Sequence, residues 1–301
     1  MMKLALKIDV DTYRGTRFGV PRLVEALQRH QAGATFLFSL GPDRTGRAIK
    51  RVFRPGFMKK VSRTSVLKHY GLKTLLYGTL LPAPDIGVRC ADVMRSVRDS
   101  GFEVGIHCWN HIAWQDGVAE ADVEWTEKQM RLACDRFERI FEEPAKVHGA
   151  AGWQMNRHAY RLTQRLGFEY AADTRGTEPF IPIQNAEIIA CPQLPGSLPT
   201  FDELIGLDGV TSETVALRVL QLTETAKTHV FTLHAELEGM RLLPAFEELL
   251  VGWKAQGYEI VSMRSLFESL DLKKLPRCEV QVGEVPGRSG TLALQGPEFL
   301  T

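Results

Sequence analysis

Apolar positions along the chain recur in two alternating rhythms. Short runs rich in β-branched and aromatic residues read as strands at Leu4–Val10, Ala34–Phe38, Phe102–Ile106, Lys146–Ala150, Phe168–Ala171, His229–Leu233 and Tyr258–Val261. Between them lie stretches with helical spacing. One starts near Pro21, a favoured first-turn residue, and puts Leu23, Val24 and Leu27 on one face. Another spans Ala119–Phe141, where Val123, Met130, Cys134, Phe137 and Phe141 mark an amphipathic helix. Further helices are predicted from Asn156 to Leu166, from Ser212, and through Leu242, Leu243, Phe246, Leu249, Leu250 and Trp253. Strand–helix alternation of this kind predicts an α/β fold with a parallel sheet and helices outside, either a barrel or an open doubly wound sheet.

At 301 residues the chain would suit two average domains, but no linker and no internal repeat divides it, and single α/β barrels reach this size. Residues 1–271 are therefore read as one unit. Beyond Asp271 the periodicity fades and Pro and Gly enter, so 272–301 is expected to be a loosely packed tail. Lys and Arg number 37 against 36 acidic residues, so global charge points to no partner. The five cysteines are scattered without a C-x-x-C pair, which argues against a disulfide framework and against a cysteine-built zinc site, and fits a reducing compartment. Two aspartates interrupt the N-terminus before any apolar run could serve as a signal peptide, and no stretch has the ~20 apolar residues of a membrane span. The expected location is inside the cell.

One segment breaks the alternation. Between Asp43 and Asp85 there is no acidic residue, whereas Arg44, Arg47, Lys50, Arg51, Arg54, Lys59, Lys60, Arg63, Lys68 and Lys73 are basic. Val52, Phe53, Phe57, Met58 and the leucines from Leu67 to Leu81 are interleaved with them. Basic heads on an apolar body suit an amphipathic insertion, 44–84, lying on an anionic membrane surface or against a lipid phosphate, each cation adding about 1 kcal/mol. A solvated insertion packed on the barrel would have the same composition. No nucleic-acid motif accompanies the charge, and no protein partner is inferred.

The chemistry gathers at strand ends, where parallel α/β folds place their sites. In Ile8-Asp9-Val10-Asp11-Thr12 the period of two puts both aspartates on one side. Two carboxylates so placed repel unless a cation or hydrogen bonds intervene, although an Asx-turn leaving the strand would use the same residues. His107-Cys108-Trp109-Asn110-His111 follows the strand at Phe102–Ile106, and histidines four apart converge on one metal if the segment makes a helical turn. Asp11, His107 and His111 would then form an open metal set, with positions left for water and substrate. His234 ends another predicted strand and is a candidate general acid.

The ordered triple of D-x-D, H-x-x-x-H and L-x-H resembles the polysaccharide deacetylase (NodB homology) family over roughly residues 3–265. That resemblance implies a distorted (β/α) barrel, here with a basic amphipathic insertion. It also implies one divalent metal ion on Asp11, His107 and His111, with Asp9 as base and His234 as acid. Zn, Mn, Co and Ni all suit such ligands. Asp173 resembles the family aspartate that orients the acid histidine. The family's R-x-P-x-G motif reads His148-Gly149-Ala150-Ala151-Gly152 here, so the arginine that holds the base is missing, and His148 is one substitute to consider. The backbone amide expected to meet the oxyanion falls near Ala151. The cues K-I-D-V-D-T-Y-R-G-T, G-I-H-C-W-N-H and V-H-G-A-A-G-W-Q further resemble a branch that removes formate from an amino sugar on a polyprenyl phosphate. On that reading Trp153 would narrow the pocket against acetyl, and Arg14, Arg17 or Arg175 would meet the substrate phosphate. The alternatives are a general carbohydrate N-deacetylase on a soluble glycan and a non-catalytic sugar- or lipid-binding barrel.

Overall fold

A computed structural model of the chain describes residues 2–48 and 73–299. Most of the basic insertion falls on 49–72, outside the described residues. Its two ends are tied together: Pro42 bridges Asp85, and the amides of Asp43 and Gly46 donate to the carbonyls of Pro84 and Tyr77.

Seven parallel strands form one curled sheet, an incomplete barrel that agrees with the barrel expectation. They are β1 (Met2–Val10), β2 (Thr35–Ser39), β3 (Glu103–Cys108), β4 (Val147–His148), β5 (Tyr170–Ala171), β8 (His229–His234) and β9 (Tyr258–Ser262). The order is β5-β4-β3-β2-β1-β8, with β9 alongside the first half of β1. β1 is thus the central strand, and from Leu4 to Val10 both its faces are buried. Its outer positions Leu4, Leu6, Ile8 and Val10 join Phe36, Phe38 and Ile106 beneath the helices. The inner positions follow the period of two. Ala5 packs with Leu37, Val147 and Val230 at the bottom of the barrel, Lys7 lies above them, and Asp9 and Asp11 reach the top.

The strands and helices read from the sequence are found close to their predicted positions, with physical start signals at the helices. Asp122 caps the helix Val123–Phe141 by accepting from the Trp125 amide, so the helix begins after Ala119, and Val123 at its first turn is exposed. Asn156 caps Arg157–Arg165 in the same way.

The expectation of a loosely packed tail is corrected. Residues Arg277–Gly283 (β10) and Leu292–Glu298 (β11) pair antiparallel, and β10 adds in parallel to the hairpin of β6 (Ile181–Gln184) and β7 (Glu187–Ile188). This second sheet has the order β11-β10-β6-β7 and buries Cys278, Leu292 and Ala293. Backbone bonds from the Arg175 amide to the Ala293 carbonyl and from the Gln295 amide to the Arg175 carbonyl sew it to the barrel.

The consequence is measurable. Burying a side chain of Leu size is worth roughly 1.5–3 kcal/mol. Truncation after Asp271 also removes the partner of β6, so it is expected to lower the melting temperature by roughly 5–10 °C or to abolish soluble expression. A truncated chain that melts like the full one would restore the loose-tail reading.

Candidate active site

Asp9 and Asp11 leave the end of β1, His107 leaves β3, and His234 ends β8 in register with Asp9. His111 reaches the same place differently from expectation. The H-x-x-x-H segment is not one helical turn: His107 is still in the strand, Asn110 is an extended cap whose side chain accepts from the Ala113 amide, and His111 is the first residue of the helix His111–Gly117. The imidazoles end up stacked, 5.4 Å between centroids. His107 Nε2 lies 3.2 Å from Asp11 Oδ1, and His111 Nε2 lies 3.3 Å from Asp11 Oδ2. The three ligand atoms all fall within 4.8 Å of one another.

These residues fit a divalent cation on three counts. The donor set is two nitrogens and one oxygen. The Oδ1 atoms of Asp9 and Asp11 are buried without a hydrogen-bond partner. His107 Nδ1 is 2.6 Å from the Gly149 carbonyl oxygen, an acceptor, so Nδ1 carries the proton and Nε2 presents its lone pair to the Asp11 side. Burial alone would push the Asp11 carboxyl up, but His111 and His107 beside it hold it well below the usual carboxylate range. For His234, burial favours the neutral ring, yet Asp11, Asp202, Glu238 and Asp9 together raise its pKa above the ordinary value, which suits a proton donor.

Three residues that the sequence reading passed over complete the site. Lys7, fully buried, places Nζ 2.6 Å from Asp9 Oδ2. Glu236 Oε1 accepts from the amides of Asp11 and Thr12 and from the Thr12 hydroxyl, pinning the loop that carries Asp11. Glu238 accepts from the His234 amide. Burial pushes the carboxyls of Glu236 and Glu238 up to about 8 and about 7, the Asp11 charge adding to the first. Gly15 leaves the room for Glu236, since a Cβ there would lie 1.9 Å from Oε1. The signal was present as His234-Ala235-Glu236-Leu237-Glu238 after a strand, but acidic residues at a turn usually face water.

Other expectations are corrected. Asp173 does not orient His234: its Oδ1 takes bonds from His148 Nδ1 at 2.7 Å and from the Ala150 amide, and its Oδ2 faces Gln193. His148 is thereby turned to Asp173, and the cation on Asp9 is Lys7. Arg175 is not available to a phosphate, because its donors go to Glu203, Gly196 and Leu198. Arg17 is half-exposed and paired with Asp92, and Arg14 contacts Met240 Sδ. Ala151 and Trp153 lie in a buried turn, with Gly152 and Trp153 both at positive φ. The Trp153 ring meets Lys7, Arg175 and Arg288, with cation-to-centroid distances of 5.0, 5.0 and 4.7 Å. The roots of the insertion stand at the rim, where Asp43 Oδ2 accepts from the Tyr13 amide.

The fold is shared with known deacetylases. A protein of Mycobacterium smegmatis described as a polysaccharide deacetylase superposes with a TM-score of 0.65 at 16% identity, over 94% of this chain and 95% of that one. One from Pseudomonas aeruginosa gives 0.58 at 14% identity, over 89% and 90%. The fold is that of the polysaccharide deacetylase class, and the mouth of its barrel carries an Asp–His–His set suited to a divalent metal. No family model matches the chain. A curated relative from Shewanella sediminis is 38% identical over 297 residues, 97% of this chain and 94% of its own length. One from Wigglesworthia glossinidia brevipalpis is 30% identical over 93% of this chain and 98% of its own. Both are named 4-deoxy-4-formamido-L-arabinose-phosphoundecaprenol deformylase ArnD, and this chain belongs to that family.

The Glu236 contacts make a prediction. Glu236→Ala strips two buried amides of their acceptor and frees the loop of Asp11, so metal affinity, read by titration with a competing chelator, should fall about 10–100-fold. Unchanged affinity would mean that the loop holds itself.

Proposed function

We propose that this chain hydrolyses the formamide of 4-deoxy-4-formamido-L-arabinose carried on undecaprenyl phosphate, releasing formate, in the aminoarabinose modification of lipid A associated with polymyxin resistance. The observation that carries the reading is identity along nearly the whole length of two relatives named as deformylases, together with the Asp–His–His cluster at the barrel mouth of this chain.

A formamide resists water because water is a weak nucleophile and an amine a poor leaving group. When bound by Asp11, His107 and His111, a divalent ion supplies Lewis acidity and shifts the pKa of its water from ~15.7 toward ~7. Asp9 offers the buried, unpartnered Oδ1 to the proton of the attacking water. An N–H of the turn at Ala151 donates to the oxygen that gains charge, a kind of interaction worth roughly 3–4 kcal/mol. As the C–N bond breaks, His234 gives its proton to the departing sugar nitrogen. The indole of Trp153, fixed by its left-handed backbone, narrows the acyl side of the pocket. The phosphate is assigned to Arg14 or Arg17 and the polyprenyl chain to the side of the 44–84 insertion, whose roots flank the Asp11 loop. No described helix is long and apolar enough to cross a membrane. The enzyme is assigned to the cytoplasmic face of the bacterial inner membrane as a peripheral protein.

Mass analysis of products from formylated and acetylated lipid-linked sugars, with and without chelator, tests the reading. Formate release that stops with chelator, and little reaction of the acetyl analogue, is the expected result. Equal turnover of an acetylated soluble glycan would favour the general deacetylase. Asp9→Asn should retain metal while activity falls about 10²–10⁴-fold. His107→Ala or Asp11→Ala should lose both metal and activity. Near-normal activity of Asp9→Asn removes it as the base.

A further inference from the structure

We propose that Lys7 is the positioning residue that makes Asp9 a base and keeps it from becoming a metal ligand. The inference rests on the reading of function above. Lysine is among the side chains least often fully buried, and here it is 0% exposed, halfway up the inside of the barrel. Among the described residues its ammonium pairs with one carboxylate, Asp9 Oδ2 at 2.6 Å. The surroundings are shaped for it. A Cβ at Gly149 would lie 2.3 Å from Leu37 Cδ1 and 3.0 Å from Lys7 Cε, so the missing side chain there keeps the neighbourhood of the stem uncrowded. The Trp153 ring lies 5.0 Å from Nζ and adds the attraction of its π face.

The contact sorts two otherwise equivalent aspartates. Asp11 turns its two oxygens to His107 and His111, whereas Asp9 has Oδ2 occupied by Lys7 and only Oδ1 open, 3.6 Å from His107 Nδ1. A carboxylate with one oxygen held by an ammonium cannot chelate through both. It is left with one open oxygen, Oδ1, to take a proton. Because Lys7 and Asp9 are two apart on one strand, the pair is fixed by β1 itself and needs no loop to close.

The experiment is a double-mutant cycle on the full chain with Lys7→Met and Asp9→Asn, read in kcat, KM, metal content and melting temperature. Lys7→Met should lower kcat by about 10²–10⁴-fold with KM within about twofold of wild type and one metal retained per chain. Lys7→Arg should restore at least about a tenth of the lost rate. In the Asp9→Asn background Lys7→Met should cost nothing further, and the double variant should melt above Lys7→Met alone. Loss of metal from Lys7→Met, equal cost in both backgrounds, or no rescue by Lys7→Arg overturns the proposal. If Lys7→Met does not fold, Lys7→Gln against Lys7→Arg gives the same comparison. A wild-type chain inactive on the formylated sugar sinks the reading of function, and the melting-temperature coupling then still decides whether Lys7 holds Asp9.

Discussion

Two carboxylates two positions apart on the inner face of a buried strand are the constraint around which the rest is arranged. Their Cα atoms are separated by roughly 7 Å. At an effective dielectric of about 20, unit charges at that spacing repel by about 2 kcal/mol. Neither Asp9 nor Asp11 has bulk water to spread its charge, since both are buried. The fold meets them from opposite directions. Lys7 approaches Asp9 from the barrel's interior, along the same strand, and the imidazoles of His107 and His111 approach Asp11 from the β3 side. Chemical difference between two identical side chains follows from what each one faces, an ammonium at Asp9 and two imidazole nitrogens at Asp11.

That division explains features further out. The donated proton of His107 has to go to Gly149, which brings the β4 turn close, and the same glycine packs beside Leu37 and the Lys7 stem. The turn after β8 supplies Glu236 and Glu238, which use their acceptor capacity on backbone amides, so that the loops bearing Asp11 and His234 are held by hydrogen bonds and not by packing alone. These acids are costly in isolation, as the upward push on both carboxyls shows. A divalent ion on Asp11, His107 and His111 would reverse that balance, adding positive charge where acidic groups crowd.

Much of this was legible in the chain. β1, β2, β3, β8 and β9 are apolar runs, and strand ends with Asp and His are where the topology converges, so position made Asp11, His107 and His111 candidates and the family resemblance made them a metal set. Lys7 was not legible, because a lysine two before an aspartate on a strand reads as an exposed residue until the sheet is seen to be covered on both faces. Asp173 and Arg175 were misassigned for a related reason: both are polar residues near a strand end, and the sequence cannot say whether their partners are substrate or other side chains. The helix Ala91–Asp99 escaped notice because its buried side consists of Met94 and Val97 alone. β10 and β11 were hidden by short, interrupted alternation, since Val282 faces solvent while Leu292 and Ala293 are covered by contacts remote in sequence.

The tail also bears on the site. β4 and β5 are only two residues long, so that side of the barrel has few ladder bonds of its own. The second sheet closes it. Arg175 is bound through its backbone to β11 and through its guanidinium to Glu203, and it stacks on Trp153. Arg288, from the β10–β11 turn, meets the same indole and donates to the Gly152 carbonyl. Trp153 is therefore held in a strained left-handed backbone by Lys7 and two guanidinium groups, one of which, that of Arg288, comes from the last thirty residues. A tail that looks dispensable by composition thus helps to hold the indole that lies against Lys7.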